Sequence, residues 1–108
     1  MRRARLTVES IDAVAARFKA LGEPTRLRIL HALGAGERCV GDLEHATALN
    51  QANLSRHLQV LLAAGLVSRR KDGLFVYYGL ADHNVLRMCE LMCGRLPGGS
   101  GFKRAHRP

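Results

Sequence analysis

Between Val8 and Leu21 the apolar positions Val8, Ile11, Val14, Ala15, Phe18 and Leu21 recur at the spacing of one helix face. Thr7 stands where an N-cap belongs and Gly22 where a helix stops. Pro24 suits the first turn of a second helix, whose stripe is Leu27, Ile29, Leu30 and Leu33 and whose end is Gly34-Ala35-Gly36. A third, short helix is expected from about Cys39-Val40, carrying Val40, Leu43 and Ala46. Asn50 is the cap of a fourth, Gln51 to Ala64, closed by Gly65. The period then shifts. Leu66-Val67-Ser68-Arg69-Arg70 and Leu74-Phe75-Val76-Tyr77-Tyr78 are rich in β-branched and aromatic residues, and Lys71-Asp72-Gly73 between them predicts a hairpin turn. A fifth helix is expected over Asp82 to Leu96, broken by Pro97-Gly98-Gly99-Ser100-Gly101.

The expected fold is mostly α with a β-hairpin wing (α+β), in the order α-α-α-α-β-β-α of a winged helix-turn-helix. One domain, 7–96, lies between a basic N-terminal arm, 1–6, and a flexible basic tail, 97–108. The chain has 108 residues, which leaves room for one modest core and not for a two-domain enzyme. Its 17 Lys and Arg against 9 Asp and Glu give a formal charge of +8. Arg2, Arg3 and Arg5 in the arm and Lys103, Arg104 and Arg107 in the tail carry most of that excess. Removing those six leaves 11 basic residues against the 9 acids for 7–96. Inside the fold the one compact basic stretch is Arg69-Arg70-Lys71. Basic ends and a basic tip point to a polyanion, most simply nucleic acid. No apolar run is long enough for a membrane span, and the N-terminus does not read as a secretory signal. Three cysteines, an odd and sparse set, do not fit a disulfide-stapled secreted domain. The reading is a cytoplasmic protein with free thiols.

On the fourth helix Leu54, Leu58, Leu61 and Leu62 share one side. The other side shows Ala52, Asn53, Arg56 and Gln59, with Ser55 and His57 at the seam and Asn50 and Gln51 at the N-terminus. No acid occurs from Asn50 to Gln59. A solvated helix face would more typically mix Glu with Lys. Asn and Gln can pair with adenine, Arg with guanine, and Ser or the helix N-terminus can hold phosphate, which is what major-groove reading requires. Arg69, Arg70 and Lys71 would contact phosphates or the minor groove beside this helix. Charge at that hairpin would also protect its edge from aggregation.

Leu21-Gly22-Glu23-Pro24-Thr25-Arg26-Leu27-Arg28-Ile29-Leu30 resembles the opening signature of the ArsR/SmtB family of winged-helix metalloregulators. So do Glu37-Arg38-Cys39-Val40-Gly41-Asp42-Leu43, Leu54-Ser55-Arg56-His57-Leu58, Gly65-Leu66-Val67 and the closing Val76-Tyr77-Tyr78, and the likeness covers roughly 14–96. The resemblance implies a cytoplasmic homodimeric repressor, paired through its first and last helices, that leaves double-stranded operator DNA when an inducer binds. It leaves the inducer open. Arsenic-sensing members often carry Cys-Val-Cys where this chain has Cys39-Val40-Gly41. Zinc-sensing members use Asp and His on the last helix; Asp82 and His83 match in part, but Asn84, Arg95 and Gly98 stand where further ligands belong, and arginine cannot ligate.

Cys89 and Cys93, four apart, project from one side of the last helix. With Cys39 they make three thiolates, which suit As(III) or Sb(III); Cd(II) or Zn(II) would want a fourth ligand such as His31, His45 or water. Packing in a dimer seam is the plainer reading of a lone thiol, but the pair at this spacing together with Cys39 favours ligation, so the reading is a repressor whose thiols sense a soft metalloid. A redox or polysulfide sensor of the same fold is the alternative. Cys89 to Arg95 also fits the Cys-x5-Arg pattern of thiolate phosphatases, but that chemistry needs free amides wrapped around an oxyanion, and an amphipathic helix uses its own. A winged helix that binds RNA or protein is the remaining class. No enzymatic activity and no required cofactor are expected.

Overall fold

The computed structural model describes residues 7–94. Five helices and a three-stranded antiparallel sheet follow in the order α1 (Val8–Leu21), α2 (Pro24–Leu33), β1 (Arg38–Cys39), α3 (Val40–Thr47), α4 (Gln51–Ala63), β2 (Val67–Asp72), β3 (Phe75–Leu80) and α5 (Asn84–Cys93). The winged helix-turn-helix architecture is the one expected. Among the described residues no helix is long and apolar enough to cross a membrane. The arm 1–6, the tail 97–108, Arg95 and Leu96 lie outside the described residues.

The helix starts follow from local chemistry. Thr7 Oγ1 accepts from the Ser10 amide at 3.1 Å, and Asn50 Oδ1 from the Asn53 amide at 2.8 Å. Glu23 caps α2 in the same way, accepting from the Arg26 amide at 2.9 Å, and that bond holds its carboxyl below the usual range. The end of α4 is a Schellman turn. The Leu66 amide donates to Leu61 O and the Gly65 amide to Leu62 O, with Gly65 at φ +74.

The core centres on α2. Ile29, Leu30 and Leu33 are fully buried against Leu43 of α3 and Leu54, Leu58 and Leu61 of α4, with Leu66, Val67, Tyr78 and Val85 closing the sides. By contrast α1 buries only Ala20, and Val8, Ile11, Val14 and Phe18 of its stripe face outward.

Three boundaries differ from expectation. A third strand, β1, precedes α3 and pairs with β3 (Arg38 with Tyr78, Cys39 with Tyr77), so the sheet order is β1-β3-β2. A two-residue strand has no period to detect, and its partner lies 38 residues on in the pair Cys39 and Tyr77. The hairpin turns at Gly73-Leu74, not at Lys71-Asp72-Gly73, because the ladder continues to Asp72 opposite Phe75. The basic residues are therefore strand residues, and the tip is Leu74, 96% exposed. Finally, α5 starts at Asn84 because Asp82 turns back and accepts from the Asn84 amide at 2.9 Å.

The turn between α3 and α4 holds one strained residue. Ala48, at φ 59 and ψ 25, is the only non-glycine with positive φ among the described residues. A left-handed conformation costs an L-residue roughly 1–2 kcal/mol. Glycine avoids that strain at an unfolded-state penalty of about 0.4–1 kcal/mol. Since Ala48 is exposed, Ala48→Gly loses no packing and should raise stability by about 0.5–1 kcal/mol. The check is the urea midpoint, and an unchanged or lower midpoint contradicts the strain.

Candidate nucleic-acid interface and thiol positions

The outward face of α4 forms because Leu54, Leu58 and Leu61 fix the opposite side in the core. Gln51, Ser55, Arg56 and Gln59 are exposed, and no acid sits in the first turn. The positive end of the helix dipole is thus left uncompensated at the surface. Arg56 Nη2 donates to Asn53 Oδ1 at 3.0 Å, which aligns the two side chains on one exposed ridge. Asn50 is the cap of α4, its Oδ1 engaged by the Asn53 amide, so it has only its side-chain NH2 to offer a partner.

His57 has a different setting from the one its sequence position suggests. It is half-buried and faces Arg26, whose Nη1 lies 3.3 Å from His57 Nδ1. A guanidinium only donates, so Nδ1 is the acceptor and the ring proton sits on Nε2. Arg26 also donates through Nε to Ala20 O at 2.6 Å and through Nη2 to Lys19 O at 3.5 Å. Two more arginines do comparable work: Arg17 Nε donates to Ala64 O at 3.1 Å and Arg38 Nε to Ala32 O at 2.8 Å. Each satisfies a carbonyl that the end of a helix leaves open.

On the wing, Arg69 and Lys71 are exposed and, among the described residues, their side chains take part in no hydrogen bond or ion pair. Arg70 is engaged. Its Nη2 and Nε meet Glu37 Oε1 and Oε2 at 2.8 and 3.2 Å, its Nη1 meets Asp72 Oδ2 at 3.4 Å, and its guanidinium lies 4.7 Å above the Tyr77 ring. No sequence pattern marked Glu37 as its partner, because the contact spans 33 positions.

The thiols fall into two places. Cys39 is half-buried at the junction of β1 and α3, where it is the N-cap residue without a side-chain capping bond. Cys89 and Cys93 are half-buried on α5. Burial pushes the Cys89 thiol up, and the neighbouring Cys93 and Glu90 add to it. Among the described residues no three His, Cys, Asp or Glu side chains gather closely enough to hold a metal ion. One protomer therefore does not assemble Cys39, Cys89 and Cys93, with or without His31 or His45, into a single site. The expected thiol direction has a direct check: alkylation of Cys89, followed by site-resolved mass spectrometry, should reach half its limiting rate at a higher pH than a cysteine in an unstructured peptide, and an equal or lower midpoint contradicts it.

This geometry has counterparts among known proteins. Residues 23–69 match the family described as bacterial regulatory protein, arsR family. The transcriptional repressor SmtB homolog of Synechocystis is 36% identical over 83 residues, which cover 77% of this chain and 63%, less than two thirds, of that relative. The arsenical resistance operon repressor of Bacillus subtilis is 40% identical over 80 residues, covering 71% of this chain and 76% of the relative. Among solved structures, the homodimeric winged helix-turn-helix DNA-binding domain of a possible ArsR-family transcriptional regulator from Mycobacterium bovis superposes with a TM-score of 0.71 at 36% identity. That match covers 83% of this chain and 86% of the other.

Proposed function

The chain belongs to the ArsR/SmtB family of bacterial regulators, and we propose that it is a homodimeric transcriptional repressor that reads operator DNA with α4. The family and the fold are those of transcriptional regulators, not of enzymes. The observation that carries the reading is the acid-free outward face of α4, with Arg56 on its ridge, in the same domain as a wing that leaves Arg69 and Lys71 unpaired. Base edges are read by Asn53, Arg56 and Gln59, and phosphates are held by Ser55, the first turn of α4, Arg69 and Lys71. His57 acts from behind, through Arg26, to set the pitch of the helix.

Pairing follows from uncovered apolar surface. Val8, Ile11, Val14 and Phe18 of α1 and Met88, Leu91 and Met92 of α5 are exposed, Met92 at 66%. Two helices presenting such faces bury them economically against a second copy, which also sets two reading helices on one duplex. The homodimer of the Mycobacterium bovis domain supports this.

The inducer in this reading is a thiophilic ion, arsenite or antimonite before cadmium or zinc, bound at the Cys89–Cys93 pair of α5. The four-residue spacing of those two thiols on one helix and the name of the Bacillus subtilis relative support it. Two sulfurs are fewer than a trivalent arsenic takes. The third has to come from outside this pair, and Cys39 of a second copy is the candidate.

Three outcomes test these statements. Arg56→Ala should weaken specific operator binding by about 1–3 kcal/mol in anisotropy titrations, with an unchanged circular dichroism spectrum; parental affinity would refute the placement of the reading face. Met92→Glu should sediment as a monomer and lose the operator, whereas a wild-type monomer binding a palindrome at full strength would refute pairing. Cys89→Ser and Cys93→Ser should each keep the operator and lose release by arsenite; if both still respond, the thiols are packing residues.

A further inference from the structure

Glu37 lies just before β1, yet its carboxylate reaches β2 across the middle strand of the sheet. Gly79 of β3 opens the way: a Cβ there would stand 3.1 Å from Glu37 Cγ. At the far end Glu37 takes the Nε and Nη2 donors of Arg70 in a two-point contact. Those are the donors a guanidinium offers to a phosphate. Tyr77 beneath and Asp72 beside it hold the same guanidinium in place. Side chains alternate along β2, so Arg69 and Lys71 lie on the other face of the strand from Arg70.

We propose that Glu37 is an internal phosphate mimic that withholds Arg70 from DNA and so limits the chain's affinity for non-specific duplex. This rests on the DNA-binding reading above. Non-specific affinity grows with the number of phosphates neutralised, while discrimination comes from base edges. Removing one wing cation from the phosphate count lowers the first without touching the second. A phosphate that captured Arg70 would leave the Glu37 carboxylate unpaired beside the DNA backbone, so the exchange opposes itself. The mutual effect on ionisation agrees with the geometry: Arg70 holds the Glu37 carboxyl low, and Glu37 holds the Arg70 guanidinium high.

The test is anisotropy with a random-sequence duplex across a range of salt, on the full chain. Glu37→Gln should tighten binding at low salt by ~3–10-fold and steepen the slope of log K against log salt by about one unit per protomer, as one new phosphate contact does. Arg70→Ala should leave the parental slope unchanged, and Glu37→Gln placed on Arg70→Ala should not steepen it. If Arg70→Ala flattens the parental slope, Arg70 already serves phosphate and the proposal fails. It also fails if Glu37→Gln acts equally with and without Arg70, which would be the plain loss of a negative charge. A parent that binds duplex, with Glu37→Gln indistinguishable from it, overturns the mimic alone; a parent that binds no duplex overturns the DNA-binding reading and the mimic together.

Discussion

The guanidinium of Arg26 joins the parts of this domain that the hydrophobic core does not. The core is organised around α2 and takes in α3, α4 and the sheet, but of α1 it holds only the C-terminal end, Ala20 with Leu21 packed against it. That helix is instead fastened at its end, where Arg26 closes the Ala20 and Lys19 carbonyls, and at its middle, where Arg17 reaches Ala64 at the close of α4. Charge-assisted bonds to carbonyls at a helix C-terminus also oppose the negative end of its dipole. Because the same guanidinium meets His57, the exposed helix α1 and α4 share one anchor.

That use of arginine changes what the charge of the chain means. Arg17, Arg26 and Arg38 close helix ends, and Arg70 faces Glu37. The fold has a small positive excess, and part of it is committed internally. Contact with a polyanion then depends on where the cations without an acidic partner lie, and these include Arg56, Arg69 and Lys71 on α4 and the wing as well as Lys19 and Arg87 on α1 and α5. A domain of this kind steers by placement more than by total field.

Elements that depend on local pattern were legible in the sequence. Thr7 and Asn50 cap the helices they were expected to cap, and the leucines of α4 bury as their spacing requires. The order of the helices and the hairpin was likewise legible from periodicity and turn residues. Features that depend on distant partners were not legible. Gly73-Leu74 became the turn because the strands pair two residues further than their composition implied. β1 exists only by pairing with β3, and no spacing rule links Glu37 to Arg70 or Arg17 to Ala64. His57 falls on the seam of a helical wheel, where rotation alone does not decide between DNA and Arg26. Cys89 and Cys93 share one helix at four-residue spacing, while Cys39, at the junction of β1 and α3, does not gather with them, which spacing along the chain does not reveal.

The position of the thiol pair limits how a ligand there could act. α5 meets α2 closely at Gly34, where a Cβ would stand 2.7 Å from Leu86 Cδ1. α2 in turn carries Arg26, which touches α4 and the end of α1. α5 is therefore in packed contact, through α2, with α4 and the end of α1. Contact alone does not make a switch. A ligand releases DNA only as far as it binds the released arrangement more tightly than the bound one, and a coupling of roughly 1–3 kcal/mol changes affinity about 5–150-fold. Two sulfurs on one helix keep a fixed spacing, so that spacing alone supplies no preference. In the reading proposed above, the preference would come from a third ligand whose distance from the pair changes when the subunits turn, such as a sulfur on a second copy.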